Sequence, residues 1–381
     1  MPKNNFPKRL SEKIEARQQA NAYREINAQH PGVDFSSNDY LGFAKSKDIH
    51  LNNIEKIQGN FGATGSRLLT GNNKLYQDTE KIIADFLHTP KALIYPSGYM
   101  ANVGLLSAVL QRNDVVLFDE LSHASIKDGI RLNFAKAYPF KHNDVADLRK
   151  KLQKINKETT VYVVTESVFS MDGDIAPLKE ISSVLNENHY LIVDEAHAVG
   201  VIGKKGEGLV SFLELDNEVF AKVVTFGKAL GVHGAAVLGS KELIDYLVNF
   251  SRPFIYTTGL SAHTLIAIQN AFNKIFKHPE LINDLNRVIS YYLHSVEQSK
   301  FKPLFSVNKT AIQYIKVSGN SRAKNVANHL ISCGFDVRPI LSPTVKKGEE
   351  RLRICLHRYN TKDEIQKLIS KTEEYLQYEQ S

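Results

Sequence analysis

The sequence predicts an α/β fold: a large, mostly parallel sheet with helices on both faces, followed by a smaller α+β unit. Three observations carry this. Short apolar runs end abruptly in polar residues, as buried parallel strands do when they deliver side chains to their carboxyl ends. Those runs alternate with helical stretches through the first two thirds of the chain. Beyond a long helical connector broken near Pro279, a second set of strands and helices begins.

In chain order, residues 9–29 have helical spacing, with Leu10, Ile14 and Ala20 to Ile26 on one side. They read as an N-terminal arm, assigned to 1–45. Residues 35–42 are turn-rich, and GATGSRLLTG at 62–71 is a loop punctuated by glycine. Strands are predicted at 92–95, 115–118, 161–165, 191–193, 223–225 and 235–238, within a large domain over 46–275. The connector covers 262–300. Strands at 311–317, 337–340 and 351–356, with helices at 322–333 and 361–377, make the C-terminal domain over 276–381.

The 381 residues, 43% hydrophobic and 23% charged, suit a globular protein. No apolar run approaches the roughly 20 residues that span a bilayer, so no membrane association is expected. The basic first eleven residues lead into no apolar core, and the expected location is the cytoplasm. Cys333 and Cys355 are too few for a disulfide framework. A net charge of +7 suits phosphate-bearing cofactors and thioesters. Without a basic tract interleaved with aromatics, no nucleic-acid partner is expected.

Two strand ends carry the chemistry. YLIVDEAH at 190–197 places Asp194 at a strand terminus with His197 just beyond, and VVTFGKALG at 223–231 places Lys228 after another. A carboxylate there can keep a pyridine nitrogen protonated, and a lysine can hold an aldehyde, the needs of pyridoxal phosphate (PLP). His197 can meet the phenolic oxygen of the ring. Thr225, with Gly227 and Gly231 beside the lysine, offers a hydroxyl and close backbone to a phosphate. Alone, either motif is equally a solvated strand end.

SGYMAN at 97–102 runs from a strand into a helix start, making Gly98 and Tyr99 phosphate candidates or an ordinary turn. DELSH at 119–123 puts His123 past a strand, where its ring could stack on the pyridine or serve structure alone. TESVFSMDGD at 165–174 supplies Ser167 near the ring. Its acidic turn at Asp172 to Asp174 lacks calcium-loop spacing, and no metal is expected.

These motifs, with SNDYLG at 37–42 and GATGSR at 62–67, together resemble the α-oxoamine synthases from about residue 9 to the C-terminal helix. The resemblance implies a fold-type I PLP-dependent transferase with a seven-stranded sheet, acting as a homodimer. Such an enzyme joins an amino acid to an acyl thioester with loss of carbon dioxide. It assigns the cofactor aldehyde to Lys228, the pyridine nitrogen to Asp194, the ring face to His123, and the phenolic oxygen to His197 and Ser167. Gly98, Tyr99 and Thr225 would take the phosphate, helped by Thr257 and Thr258 of the partner copy. Arg353 would grip the substrate carboxylate; Asn38 and Arg24 are further substrate candidates.

Through the runs at 231–237, 251–258 and 337–344 the chain most resembles the branch that joins L-alanine to a pimeloyl thioester, with glycine- and serine-using branches still open. Cys355 stands where several relatives carry threonine. DEAH at 194–197 also spells the box of an ATP-driven helicase. The required G-x-x-x-x-G-K-[ST] is missing, because Ala198 and Lys222 stand where its first glycine belongs.

Overall fold

A computed structural model describes residues 6–26, 32–57, 59 and 61–379, so 27–29 of the expected arm lie outside the described residues. The chain folds as two compact units, one formed by 38–286 with 357–359 and the other by 1–37, 287–356 and 360–381.

The larger unit is built on a seven-stranded sheet. Its strands are β1 (Lys91–Tyr95), β2 (Val115–Asp119), β3 (Lys136–Phe140), β4 (Val161–Glu166), β5 (His189–Asp194), β6 (Val219–Thr225) and β7 (Ala235–Gly239). Their spatial order is β1-β7-β6-β5-β4-β2-β3, with β7 antiparallel to both neighbours and every other pairing parallel. The direction of progress reverses between β2 and β4, the kind of switch point at which open sheets bind ligands.

β4 and β7 are buried along their whole length, which is why they read as unbroken apolar runs. β3 was not legible in the sequence. It is an edge strand, exposed except at Phe140, and Pro139 breaks its strand signal. Helix Gly98–Val109 is buried on almost every side, packing beneath β1 and β7 with Leu105, Leu106 and Val109 in one core with Tyr95, Val223 and Val237.

In the smaller unit, β8 (Ile312–Lys316), β9 (Arg338–Ile340) and β10 (Arg351–Cys355) form an antiparallel sheet in the order β9-β10-β8. Helices Asn320–Ser332 and Lys362–Tyr378 belong to this unit, the second started by a capping box of Thr361 and Glu364. Val33 and Asp34 pair in parallel with Phe335 and Asp336. The N-terminal helix runs over Lys8–Gln19, shorter than its spacing predicts, because the backbone turns at Asn21 with φ +51°.

Candidate active site

The carboxyl ends of β2, β4, β5 and β6 deliver Asp119, Glu166, Asp194 and Thr225 to one side of the sheet, and the loops after them carry His123, Ser167, His197 and Lys228. Asp194 is buried and held from two sides: Asn102 Nδ2 donates to its Oδ2 at 2.7 Å, and the Ala196 N–H donates to its Oδ1 at 2.9 Å. Asn102 also donates to Ser125 Oγ at 3.0 Å, and that oxygen lies 2.8 Å from His123 Nδ1. One hydrogen-bonded chain therefore links Asp194 to His123. No role for Asn102 was evident in the sequence, though a lone amide inside an otherwise apolar helix signals a buried partner.

His123 caps helix Ala124–Arg131, and its backbone N–H donates to Glu166 Oε1 at 2.6 Å. Burial lowers its pKa below the ordinary histidine value; the charge of Asp194 opposes the shift and that of Lys228 adds to it. Glu166 pairs across strands with Asp194. Burial first, then the Asp194 charge, raise its pKa to about 8 against the pull of Lys228, so it holds a proton at neutral pH. Lys228, His123, Glu166 and Asp194 thus form one electrostatic group.

Lys228 lies in the tight connection between β6 and β7, where the Val232 N–H donates to Phe226 O at 2.9 Å, the Phe226 N–H to Gly234 O at 2.8 Å and the Gly231 N–H to Lys228 O at 2.9 Å. Gly231 has φ +60°, and a Cβ there would fall 2.2 Å from Ala44 N. Only glycine fits this bend.

Residues Gly98 and Thr225 face each other. A Cβ on Gly98 would sit 3.4 Å from Thr225 Cβ and 3.5 Å from its Oγ1, so the absent side chain leaves room for a bound group. Ser97 Oγ and Ser97 O take the N–H groups of Met100 and Ala101. Among the described residues no acceptor takes those of Gly98 and Tyr99. Two free donors at a helix start, a hydroxyl opposite and a buried carboxylate with a lysine alongside fit the phosphate, pyridine nitrogen and aldehyde of PLP. The Tyr99 hydroxyl donates to Asp128 at 2.8 Å, while its backbone N–H is one of the two free donors.

His197 is buried, with Nδ1 2.8 Å from the Tyr40 hydroxyl, which also lies 3.1 Å from Asn38 Oδ1. Tyr40 thereby joins two predicted residues that the sequence leaves unconnected. Ser167 donates to Glu195 Oε1 at 2.6 Å, and Leu209 and Val210 N–H groups share that oxygen. Only the Ser167 lone pairs remain to face a ligand. Glu195 is fully buried, which raises its pKa, and Gly208 at φ +89° makes room for its second oxygen.

The remaining predicted residues lie on other elements. Thr258 is exposed and bridges Ser66, with Thr257 beside it and the Gly259 N–H donating to Gly65 O. Arg353 and Arg24 belong to the smaller unit. Arg353, buried on β10, donates to Cys355 Sγ at 2.9 Å, and Arg24 donates to Thr344 Oγ1 at 3.2 Å.

Comparison with known proteins agrees with this fold. Residues 30–371 match the family described as aminotransferase class I and II. The chain is 37% identical to an 8-amino-7-oxononanoate synthase of Emericella nidulans, covering 91% of this chain and 89% of the other. It is 36% identical to 8-amino-7-oxononanoate synthase 1 of Bacillus subtilis, covering 91% and 89%. Among solved structures, a lysine-to-alanine variant of serine palmitoyltransferase from S. paucimobilis with a bound PLP–myriocin aldimine superposes with a TM-score of 0.87 at 26% identity over 97% of both chains. The 8-amino-7-oxononanoate synthase of Francisella tularensis superposes with 0.78 at 29% identity over 92% and 99%. The chain belongs to the class I and II aminotransferase family, and within that fold-type I group it is a PLP-dependent acyltransferase of the α-oxoamine synthases.

Proposed function

We propose that the enzyme condenses L-alanine with a pimeloyl thioester, carried by coenzyme A or an acyl carrier protein, to give 8-amino-7-oxononanoate for biotin synthesis in the cytoplasm. A bond forms between the amino-acid Cα and the acyl carbon, while the thiol and carbon dioxide leave. The observation that carries the reading is the agreement with relatives named for that product, over 91% of this chain in each case.

Bound PLP supplies an electron-withdrawing ring next to the amino-acid Cα. The protein's own groups hold and move the rest. Asp194, fixed by Asn102, keeps the pyridine nitrogen protonated. The Lys228 amine holds the cofactor at rest and takes the Cα proton in turnover. His123 would face the ring. The Gly98 and Tyr99 N–H groups and the Thr225 hydroxyl hold the phosphate, while His197 and Ser167 meet the phenolic oxygen. Arg353 grips the amino-acid carboxylate with its planar fork, a geometry that lysine lacks. Asn38 and Arg24 contact substrate. In a homodimer, Thr257 and Thr258 reach the phosphate of the other copy, a reading that the exposure of Thr258 supports.

One observation favours a second reading. The TM-score is higher for serine palmitoyltransferase than for the Francisella 8-amino-7-oxononanoate synthase, 0.87 against 0.78. A sister activity would take serine with a long acyl chain, or glycine with acetyl or succinyl thioesters as in glycine C-acetyltransferase and 5-aminolevulinate synthase. Thiol release across alanine, glycine and serine, each with pimeloyl, acetyl, succinyl and palmitoyl thioesters, separates these. Alanine with pimeloyl is expected to give the highest kcat/KM, and a higher value for another pair would replace the reading.

A further inference from the structure

His142 follows β3 and is not among the residues that the family resemblance places at the cofactor. Its Nδ1 lies 3.0 and 3.2 Å from the two oxygens of Asp119, and its Nε2 lies 2.7 Å from Asp174 Oδ2. Both nitrogens face carboxylates, so both must donate, which only the imidazolium does. Asn143 reinforces the arrangement: its backbone N–H donates to Asp119 Oδ2 at 2.9 Å and its side chain to Asp174 Oδ2 at 2.6 Å. The ring also meets Phe169 edge-on, with centroids 4.4 Å apart and planes at 89°.

Each partner governs a different part of the site. Asp119 is the buried last residue of β2 and organises the turn into His123: its Oδ1 accepts the Leu121 N–H at 2.8 Å and its carbonyl the Ser122 N–H at 3.0 Å. Asp174 closes the loop that leaves β4 at Ser167, with Asp174 O accepting the Phe169 N–H and Ser167 O accepting the Ala176 N–H. One cation therefore joins the ends of three adjacent strands.

We propose that His142 is a positioning residue that braces the loop carrying His123 against the loop carrying Ser167 and so sets the orientation of His123 over the cofactor ring. This rests on the proposed stacking of His123. Shifting reacting groups by about 1 Å can cost on the order of 100-fold in rate, so the brace acts on turnover without touching substrate.

The test uses the PLP-loaded enzyme and its His142→Gln, Asp174→Asn and doubly substituted variants. Cofactor-induced circular dichroism per bound PLP, kcat and KM for the amino acid, and Tm are read together. His142→Gln is expected to change the dichroism and to lower kcat by about tenfold or more while KM moves by less than about twofold. Asp174→Asn should act in the same direction, and the double variant should be no worse than His142→Gln. Unchanged dichroism and kcat in folded His142→Gln, even with a lower Tm, would reduce His142 to a stabilising role and overturn the proposal. Additive losses in the double variant would overturn it too. Should His142→Gln not fold, unchanged dichroism and kcat in Asp174→Asn decide against it. A His123→Ala control separates the two levels: if it leaves the dichroism unchanged, the stacking reading fails and takes this proposal with it.

Discussion

The Asp194 carboxylate receives two hydrogen bonds, and the one from Asn102 can be removed while the branching of the side chain is kept. Asn102→Leu withdraws a donor from a charged acceptor, a loss of about 1.5–3 kcal/mol. The expected result is weaker PLP retention by about tenfold or more, measured by titrating the cofactor back into stripped enzyme. Glu166 behaves oppositely. With its pKa raised from 4.5 to about 8, the folded state holds a proton that the unfolded chain releases, so stability falls as pH rises across that window. Glu166→Gln keeps the donor and acceptor pattern of the neutral acid. In cofactor-free protein the Tm of the variant minus that of the parent is expected to grow from pH 5 to pH 8, and parallel curves would contradict the buried proton.

At the scale of elements, the loops after β2, β3 and β4 are held by His142, whose pKa burial lowers but the hydrogen bonds and charges of Asp119 and Asp174 raise to about 10. The unfolded value of 6.5 lies below the folded one, so the brace contributes its full stability below about pH 6.5 and loses it as pH rises through 10. Thermal unfolding of the parent and His142→Gln should therefore differ most near pH 6 and converge toward pH 10. Elements whose apolar runs end in polar residues were legible: the ends of β5 and β6 place Asp194 and Thr225 where the sequence expects them. Partners that meet only in three dimensions were not. Asn102 lies 92 residues from Asp194, and Tyr40 lies 157 from His197. His142 is hidden with its strand, since exposed β3 carries a proline and no apolar run announces its end.

For the whole molecule, the proposed homodimer makes each site a joint product of two copies, which mixing can reveal. Lys228→Ala alone is expected to lack turnover, and a Thr257→Val/Thr258→Val variant to bind PLP weakly. Dissociating and reassociating the two together should restore activity through mixed dimers, each with one intact site. No recovery would place those threonines outside the partner's site. The order of the sheet also bears on how the chain is made. β1 is the first strand of the sheet to be synthesised, yet among the described residues its one partner within the sheet is β7, the last. On the ribosome β1 must wait with its hydrogen-bonding edge open until residue 239 has emerged, so the nascent chain passes through an aggregation-prone stage that ends only after Lys228 has been added.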